Sequence, residues 1–260
     1  MANQLKNLFA ADLKLVRGLF FINVSLAFLL PLFNIVPIAT LGILISILIY
    51  YTLGGAGIVA TFHRFHSHNS FQFKKKWIEV LFTTLGSLTG SGSALGWAAM
   101  HRLHHETPDK VGDPHAPLNG IWPTLSVKYN YHRGMWKNMK DLAAKPYLVF
   151  LHKYYFLILF IYIAALFGMF SLSGIYYGFI IPSTITLLLS GLTNYVSHIP
   201  FLGYQRHKDG GKATNAWWMS LFNCGEGWHN NHHHNPSSFT TKEKWWEWDM
   251  AGSIIRMVKK

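Results

Sequence analysis

The stretch LFFINVSLAFLLPLFNIVPIATLGILISILIYYTLGGAGIVAT, residues 19–61, contains no charged side chain and no histidine. A membrane-spanning helix needs about 20 mainly apolar residues, and this run is roughly twice that long. Pro31, Asn34 and Pro37 fall near its middle, where they interrupt a helix and favour a turn. The stretch therefore predicts a helical hairpin. Residues 154–197 repeat the pattern: they are uncharged, with Ser171, Ser173 and Gly174 as the central break. Two hairpins make four spans, near 18–33, 36–61, 154–171 and 174–197, and leave both termini on one side. The fold class expected is an all-α integral membrane protein. A helical domain built from 62–153 and 198–260 would lie on the side of the termini, the whole chain 1–260 forming one domain.

Composition supports this class. Only 13% of the 260 residues are charged and 16% are aromatic, against about 25% charged in an ordinary soluble domain. All 23 Lys and Arg, all 11 acidic residues and all 15 histidines lie outside the two apolar runs. By the positive-inside rule that side is cytoplasmic, which predicts a multi-pass protein of the cytoplasmic (inner) membrane. The net charge of +12 fits Lys and Arg flanking spans beside anionic headgroups, so no nucleic-acid partner is expected. No cleavage-site pattern precedes the first apolar run, and no processing is expected. Trp77 to Met100 is apolar but rich in Thr, Ser and Gly; it reads as a helix lying at the interface, because a further span would strand the histidines on opposite sides. The tail tryptophans Trp217, Trp218, Trp245, Trp246 and Trp248 suit an interface as well.

The histidines carry the chemistry. His63, His66 and His68 follow the second span, His101, His104 and His105 end the interfacial stretch, His198 follows the fourth span, and His229, His232, His233 and His234 crowd the tail. In the H-x-x-H-H patterns at 101–105 and 229–233, positions i, i+3 and i+4 share one helix face, from which imidazoles can converge on a metal. His63 and His68 stand about 140° apart on a regular α-helix, so they need a helix end or a distortion to serve one site. Asn194 lies one turn before His198 and offers an oxygen, directly or through water. Cys224 is the sole cysteine, so any metal here is held by nitrogen and oxygen. Zinc takes about four ligands in a structural site and three in most catalytic ones, fewer than this set provides, so two ions are expected. Imidazole suits Zn, Cu, Fe and Ni alike.

HRFHSH, HRLHH and GEGWHNNHH, in that order and separated by the hairpins, resemble the three histidine boxes of the membrane fatty acyl desaturases, particularly the bacterial-like delta-9 type. Asn194-x-x-x-His198, the triplet Asp113-Pro114-His115 and the WWEWD tail extend the resemblance over about residues 50 to 250. It implies a non-haem di-iron centre that uses oxygen and two external electrons to remove two hydrogens from an acyl chain, leaving a cis double bond. The ligands it implies are His63, His68, His101, His104, His105, His198, His229, His232 and His233, with Asn194 through water. Zinc can replace iron in preparations. Carboxylates should hold the imidazoles from behind, with Asp113, Glu226 and Glu106 the candidates and Asp109 a nearby acid. Arg64 and Arg102 are placed to pair with these acids or with an anionic headgroup.

Trp97, one turn before His101, is the candidate wall of a substrate tunnel. His66 and His234 read as neighbours of the boxes rather than ligands, His115 as structural or as a support behind a ligand, and His132, His152 and His207 as isolated solvated side chains. The partners implied are the bilayer, a fatty acyl chain on CoA, carrier protein or lipid, and an external electron donor such as a ferredoxin or a cytochrome b5-like protein. A di-iron membrane hydroxylase of lipid or alkane chains is the rival reading. A metal transporter would place its ligands near the bilayer midplane, where this sequence has none.

Overall fold

The computed structural model describes residues 2–114, 120–126 and 137–260, with side chains from residue 14 onward; His115 and His132 lie outside the described residues. Helix α1 (Ala2–Leu32) ends in a turn at Asn34, whose φ of 54° is left-handed, and α2 (Thr40–Tyr50) returns antiparallel to it. Without a break, α2 runs into a π-helical stretch, Tyr51–Ser67, so the helix extends beyond Thr61. The first histidine box is thus its last turns rather than a segment after it. Two side-chain bonds follow the wider winding, from Thr61 Oγ1 to Ala56 O and from Ser67 Oγ to Phe62 O.

Among the described residues, three helices are long and apolar enough to cross a membrane: Lys14–Leu32, Thr40–Ser67 and Tyr155–Val196. The third is too long for one crossing, since 42 helical residues would span about 63 Å at 1.5 Å per residue. It is not straight. Ser171 adopts φ 57° and ψ −151°, and the chain reverses there. Tyr162 consequently donates to Gly178 O at 2.8 Å, a pair that a continuous helix would hold about 24 Å apart. The outer faces of α1 and of Tyr155–Phe170 carry exposed Phe21, Phe28, Phe160, Ile161 and Phe167, as expected of surfaces that meet lipid. Thr40–Ser67 is half buried and forms the centre of the bundle.

Residues 77–100 are not one helix. They form α3 (Lys76–Ser87) and α4 (Ala94–Glu106), separated by a turn with Gly90 and Gly92 at positive φ. The glycines that lowered the helix propensity of this stretch are the ones that break it. The α3 helix lies along the π stretch at very short range: a methyl group on Gly57 would run into the backbone of Gly86. Ile58, Phe62, Leu95, Ala98 and Leu103 seal the packing of α4 against the same stretch. There is no β-sheet among the described residues, only isolated bridges. The exposed tryptophans Trp77, Trp217, Trp245, Trp246 and Trp248 stand on the surface of the polar part.

Candidate metal centre

The π winding resolves the spacing of the first box. The wider winding of a helix closed by i→i+5 bonds brings residues five apart nearer to one face than an α-helix does. His63 and His68 therefore face the same way, with ring centroids 5.0 Å apart. His68 sits at the end of the helix, with φ −108°.

Nine histidines from four segments fall into two groups. His63, His68, His101, His105 and His232 bring one nitrogen each within 4.8 Å of one another, and His104, His198, His229 and His233 do the same. Each H-x-x-H-H box is split. On an α-helix, i+4 falls about 40° to one side of i and i+3 about 60° to the other. Accordingly His101 and His105 join the first group and His104 the second, while His229 and His233 join the second and His232 the first.

Within the groups the Nε2 atoms almost touch. The separations are 3.0 Å for His63 and His232, 2.9 Å for His68 and His101, and 3.1 Å for His105 and His232. In the other group they are 3.3 Å for His104 and His233, 3.1 Å for His198 and His229, and 3.1 Å for His229 and His233. Two nitrogens about 2.1 Å from one ion lie about 3.0 Å apart at a right angle and about 3.4 Å apart at the tetrahedral angle. The donor set fits two cations.

Carboxylates stand behind three of the rings. Glu226 Oε2 is 2.5 Å from His63 Nδ1, and both oxygens of Asp113 are 2.9 Å from His104 Nδ1. Asp109 Oδ1 is 3.0 Å from His198 Nδ1, an ion-pair distance although off the line of the N–H. A carboxylate at Nδ1 keeps the ring proton there and leaves the Nε2 lone pair for a metal. Glu106 does not take this role; it is exposed and paired with Lys137 at 3.0 Å. Asp109 stands on His198 instead. Burial, and then the charges of neighbouring rings, hold His68, His101, His105, His232 and His233 well below the ordinary imidazole range. They are neutral at physiological pH, as ligands must be.

A buried charge network supports the first group. Arg64, 1% exposed, donates to Glu226 Oε1 and to Asp249 Oδ2, each at 2.8 Å, and to Phe239 O at 3.0 Å. Burial would raise the carboxyl of Glu226, but His63 and Arg64 outweigh it and hold it below the usual range. Gly225 is needed for this arrangement: its φ is 103°, and a Cβ there would stand 2.6 Å from Asp249 Oδ1. Arg102 bonds the carbonyls of Ser67, His66 and Asn138 and pairs with Asp141, so neither arginine is left facing a headgroup.

The ligand helix His229–His234 has no side-chain cap of its own. Asn215 replaces it from a distance, its Oδ1 accepting from Asn230 N at 3.0 Å and Asn231 N at 3.2 Å. Nothing local in the sequence marks Asn215 for this task. His66 bonds Thr83 and belongs to neither group. His152 is buried against Ser93 Oγ at 2.6 Å rather than solvated. His207 is not isolated either; it stacks on His234.

A cleft reaches both groups. His63, His101 and His229 line it together with Trp97, Asn194, Glu226, Ile58, Val59, Leu189 and Tyr50. Trp97 stacks on His101, centroids 5.0 Å apart and planes at 21°. Asn194 lines the same cleft.

Comparison with known proteins agrees with this geometry. The chain is 33% identical over 220 residues to delta-9 acyl-lipid desaturase 1 of Arabidopsis thaliana, covering 82% of this chain and 70% of that protein. It is 31% identical over 253 residues to the sn-1 stearoyl-lipid 9-desaturase of Anabaena variabilis, covering 94% and 90%. A third relative is the sn-2 palmitoyl-lipid 9-desaturase of Nostoc sp. (strain 36), 30% identical over 229 residues, covering 85% and 79%. The family profile described as "Fatty acid desaturase" matches residues 38–248. That match takes in every segment that supplies a histidine to either group, and the chain belongs to the fatty acid desaturase family.

Proposed function

We propose that this desaturase is an oxygen-dependent enzyme that introduces a cis double bond, at the delta-9 position, into a saturated acyl chain carried on a membrane lipid. The observation that carries the reading is that two all-histidine groups both contribute to the lining of one largely apolar cleft. An unactivated methylene has no acidic proton and no leaving group, so acid-base or nucleophilic side chains cannot break its C–H bonds. A pair of iron ions held by the nine histidines would supply the oxidant, consuming one O2, two electrons and two protons per double bond. The relatives described above, by their names, act on lipid-linked acyl chains, which supports the lipid carrier.

The chain's own residues do the rest. Glu226 and Asp113 fix ring tautomers, and with Asp109 they supply negative charge behind ligand sets that contain no acid. Asn194, which lines the same cleft, would hold a water for the metal centre. Trp97, Ile58, Val59 and Leu189 position two neighbouring methylenes and keep bulk water away from them. We assign four spans, counting Tyr155–Val196 as two because of its reversal at Ser171, with both termini and the metal centre on the cytoplasmic face. The two electrons come from a separate donor protein such as a ferredoxin or a cytochrome b5-like protein.

The test is expression of the wild type and His229→Ala in a host lacking an aerobic desaturase, with a ferredoxin supplied, followed by mass spectrometry that locates double bonds. The expected result is a cis delta-9 alkene that needs air and disappears in the variant. Hydroxylated chains in its place would overturn desaturation in favour of hydroxylation.

A further inference from the structure

One cluster of potential ligands takes no part in the centre. His207 and His234 lie parallel, with ring centroids 3.7 Å apart and planes at 5°. Asp209 holds His234 Nδ1 at 2.8 and 2.9 Å, and Glu243 holds His207 Nε2 at 2.8 and 3.0 Å. His207, Asp209 and His234 each bring one donor atom within 4.8 Å of the others. His234 and Asp209 are exposed, whereas the nine histidines of the centre are buried or nearly so.

The two segments that carry these donors are already joined. Asn230, on the helix of His234, accepts from Arg206 N and His207 N at 2.7 Å each through Oδ1, and its Nδ2 donates to His207 O at 2.8 Å. Gly210 packs so closely on Asn230 that a Cβ would stand 2.8 Å from Nδ2. Donors on a backbone that is already locked need little further ordering when a ligand arrives. Two imidazoles and a carboxylate make a borderline nitrogen and oxygen set, suited to Zn2+ and its neighbours rather than to Mg2+ or Ca2+.

We propose that His207, Asp209 and His234 form a third metal site, for a borderline divalent cation such as zinc, on the outer face of the ligand helix. Glu243, which holds His207 Nε2, is itself paired with Arg206 at 3.1 Å and stands beside the site. A cation there would clamp residues 205–212 to helix His229–His234. The clamped loop reaches the centre from behind, because Lys212 N donates to Asp109 Oδ2 at 3.1 Å and Asp109 stands on His198. Occupancy would therefore stiffen the support of the four-histidine group without touching its ligands.

The experiment adds zinc to the purified full-length chain in detergent, removes loosely held metal by gel filtration, and counts metals per chain by elemental analysis. Wild type is compared with His207→Ala and with Asp209→Asn, which changes a side chain 66% exposed and leaves folding undisturbed. The readout is the difference between chains, so whatever metal the buried histidines hold cancels. One zinc fewer per chain in both variants, with the other metals unchanged, is the expected result. Equal zinc in all three, or a loss that takes the buried metal with it, overturns the proposal.

Discussion

Replacing Glu226 by glutamine exchanges one carboxylate oxygen for an NH2 group and should cost the chain one metal selectively. The two carboxylate oxygens serve different donors: Oε2 takes His63 Nδ1–H, and Oε1 takes the Arg64 guanidinium at 2.8 Å. An amide has only one oxygen. Arg64 cannot give up a proton, so the oxygen stays with it and the NH2 group turns to His63. His63 must then accept at Nδ1 and carry its proton on Nε2, where its lone pair faces the ligand nitrogens of the first group. That group drops from five usable nitrogens to four, and the loss of such a supporting carboxylate costs about 10- to 100-fold in metal affinity, or about 1.4–2.7 kcal/mol. The four-histidine group keeps its own carboxylates. A chelator titration with metal counted per chain should show one ion released at about 10- to 100-fold lower chelator than in wild type, while the other is unmoved. Asp113→Asn gives the contrast: Oδ2 of Asp113 already serves both His104 Nδ1 and Asp109 N at 2.9 Å, so one amide oxygen can replace it and the loss should be smaller. Unchanged release from Glu226→Gln, or release of both ions together, would refute the tautomer argument.

Other perturbations probe the scaffold. Asn215→Ala removes the remote cap of the ligand helix, at about 1–2 kcal/mol, and because that helix feeds both groups, both ions should loosen together in the same titration. Gly57→Ala forces the π stretch away from α3 and should lower stability by about 1–3 kcal/mol, read as a drop in unfolding temperature in detergent. Burial would raise the Asp249 carboxyl, but Arg64 outweighs it and holds it below its usual range. Its stabilising contribution is therefore complete above the unfolded value of about 3.9 and is lost as pH falls through the lower folded value. Unfolding temperatures measured from about pH 6 down to pH 3 should show a steep acid limb in wild type and a shallower one in Asp249→Asn.

The sequence carried the hairpins and the ligand-rich boxes because both are periodic or compositional signals. Pro31, Asn34 and Pro37 mark the first reversal, and the Ser171–Gly174 break marks the second. The division of each box between two groups follows from helix geometry, yet the same i, i+3, i+4 pattern fits convergence on one ion equally well; only the placement of the partner helix decides. The π winding of Tyr51–Ser67 leaves no signature that an α-helix lacks, and together with the helix end at His68 it brings that ring to His63. Carboxylate partners were partly legible. Asp113 and Glu226 sit inside recognisable motifs, whereas Asp109 and Glu106 are neighbours in sequence and exchange roles by where the turn after α4 points them. Asn215 and His152 act across long separations, which no local pattern encodes.

The split of the boxes also fixes an order of events during synthesis. Until residues 229–234 leave the ribosome, the nascent chain already holds His63, His68, His101 and His105, four of the five nitrogens of one group, but only His104 and His198 of the other. A half-made chain can thus capture an ion in the first group while the second still lacks half its ligands. The helix that arrives late would add one donor to the first group and supply two of the four in the second. With two ions bound as proposed, metal supply during translation would act on the two positions at different moments, and a chain starved of metal until it is finished would meet both empty at once.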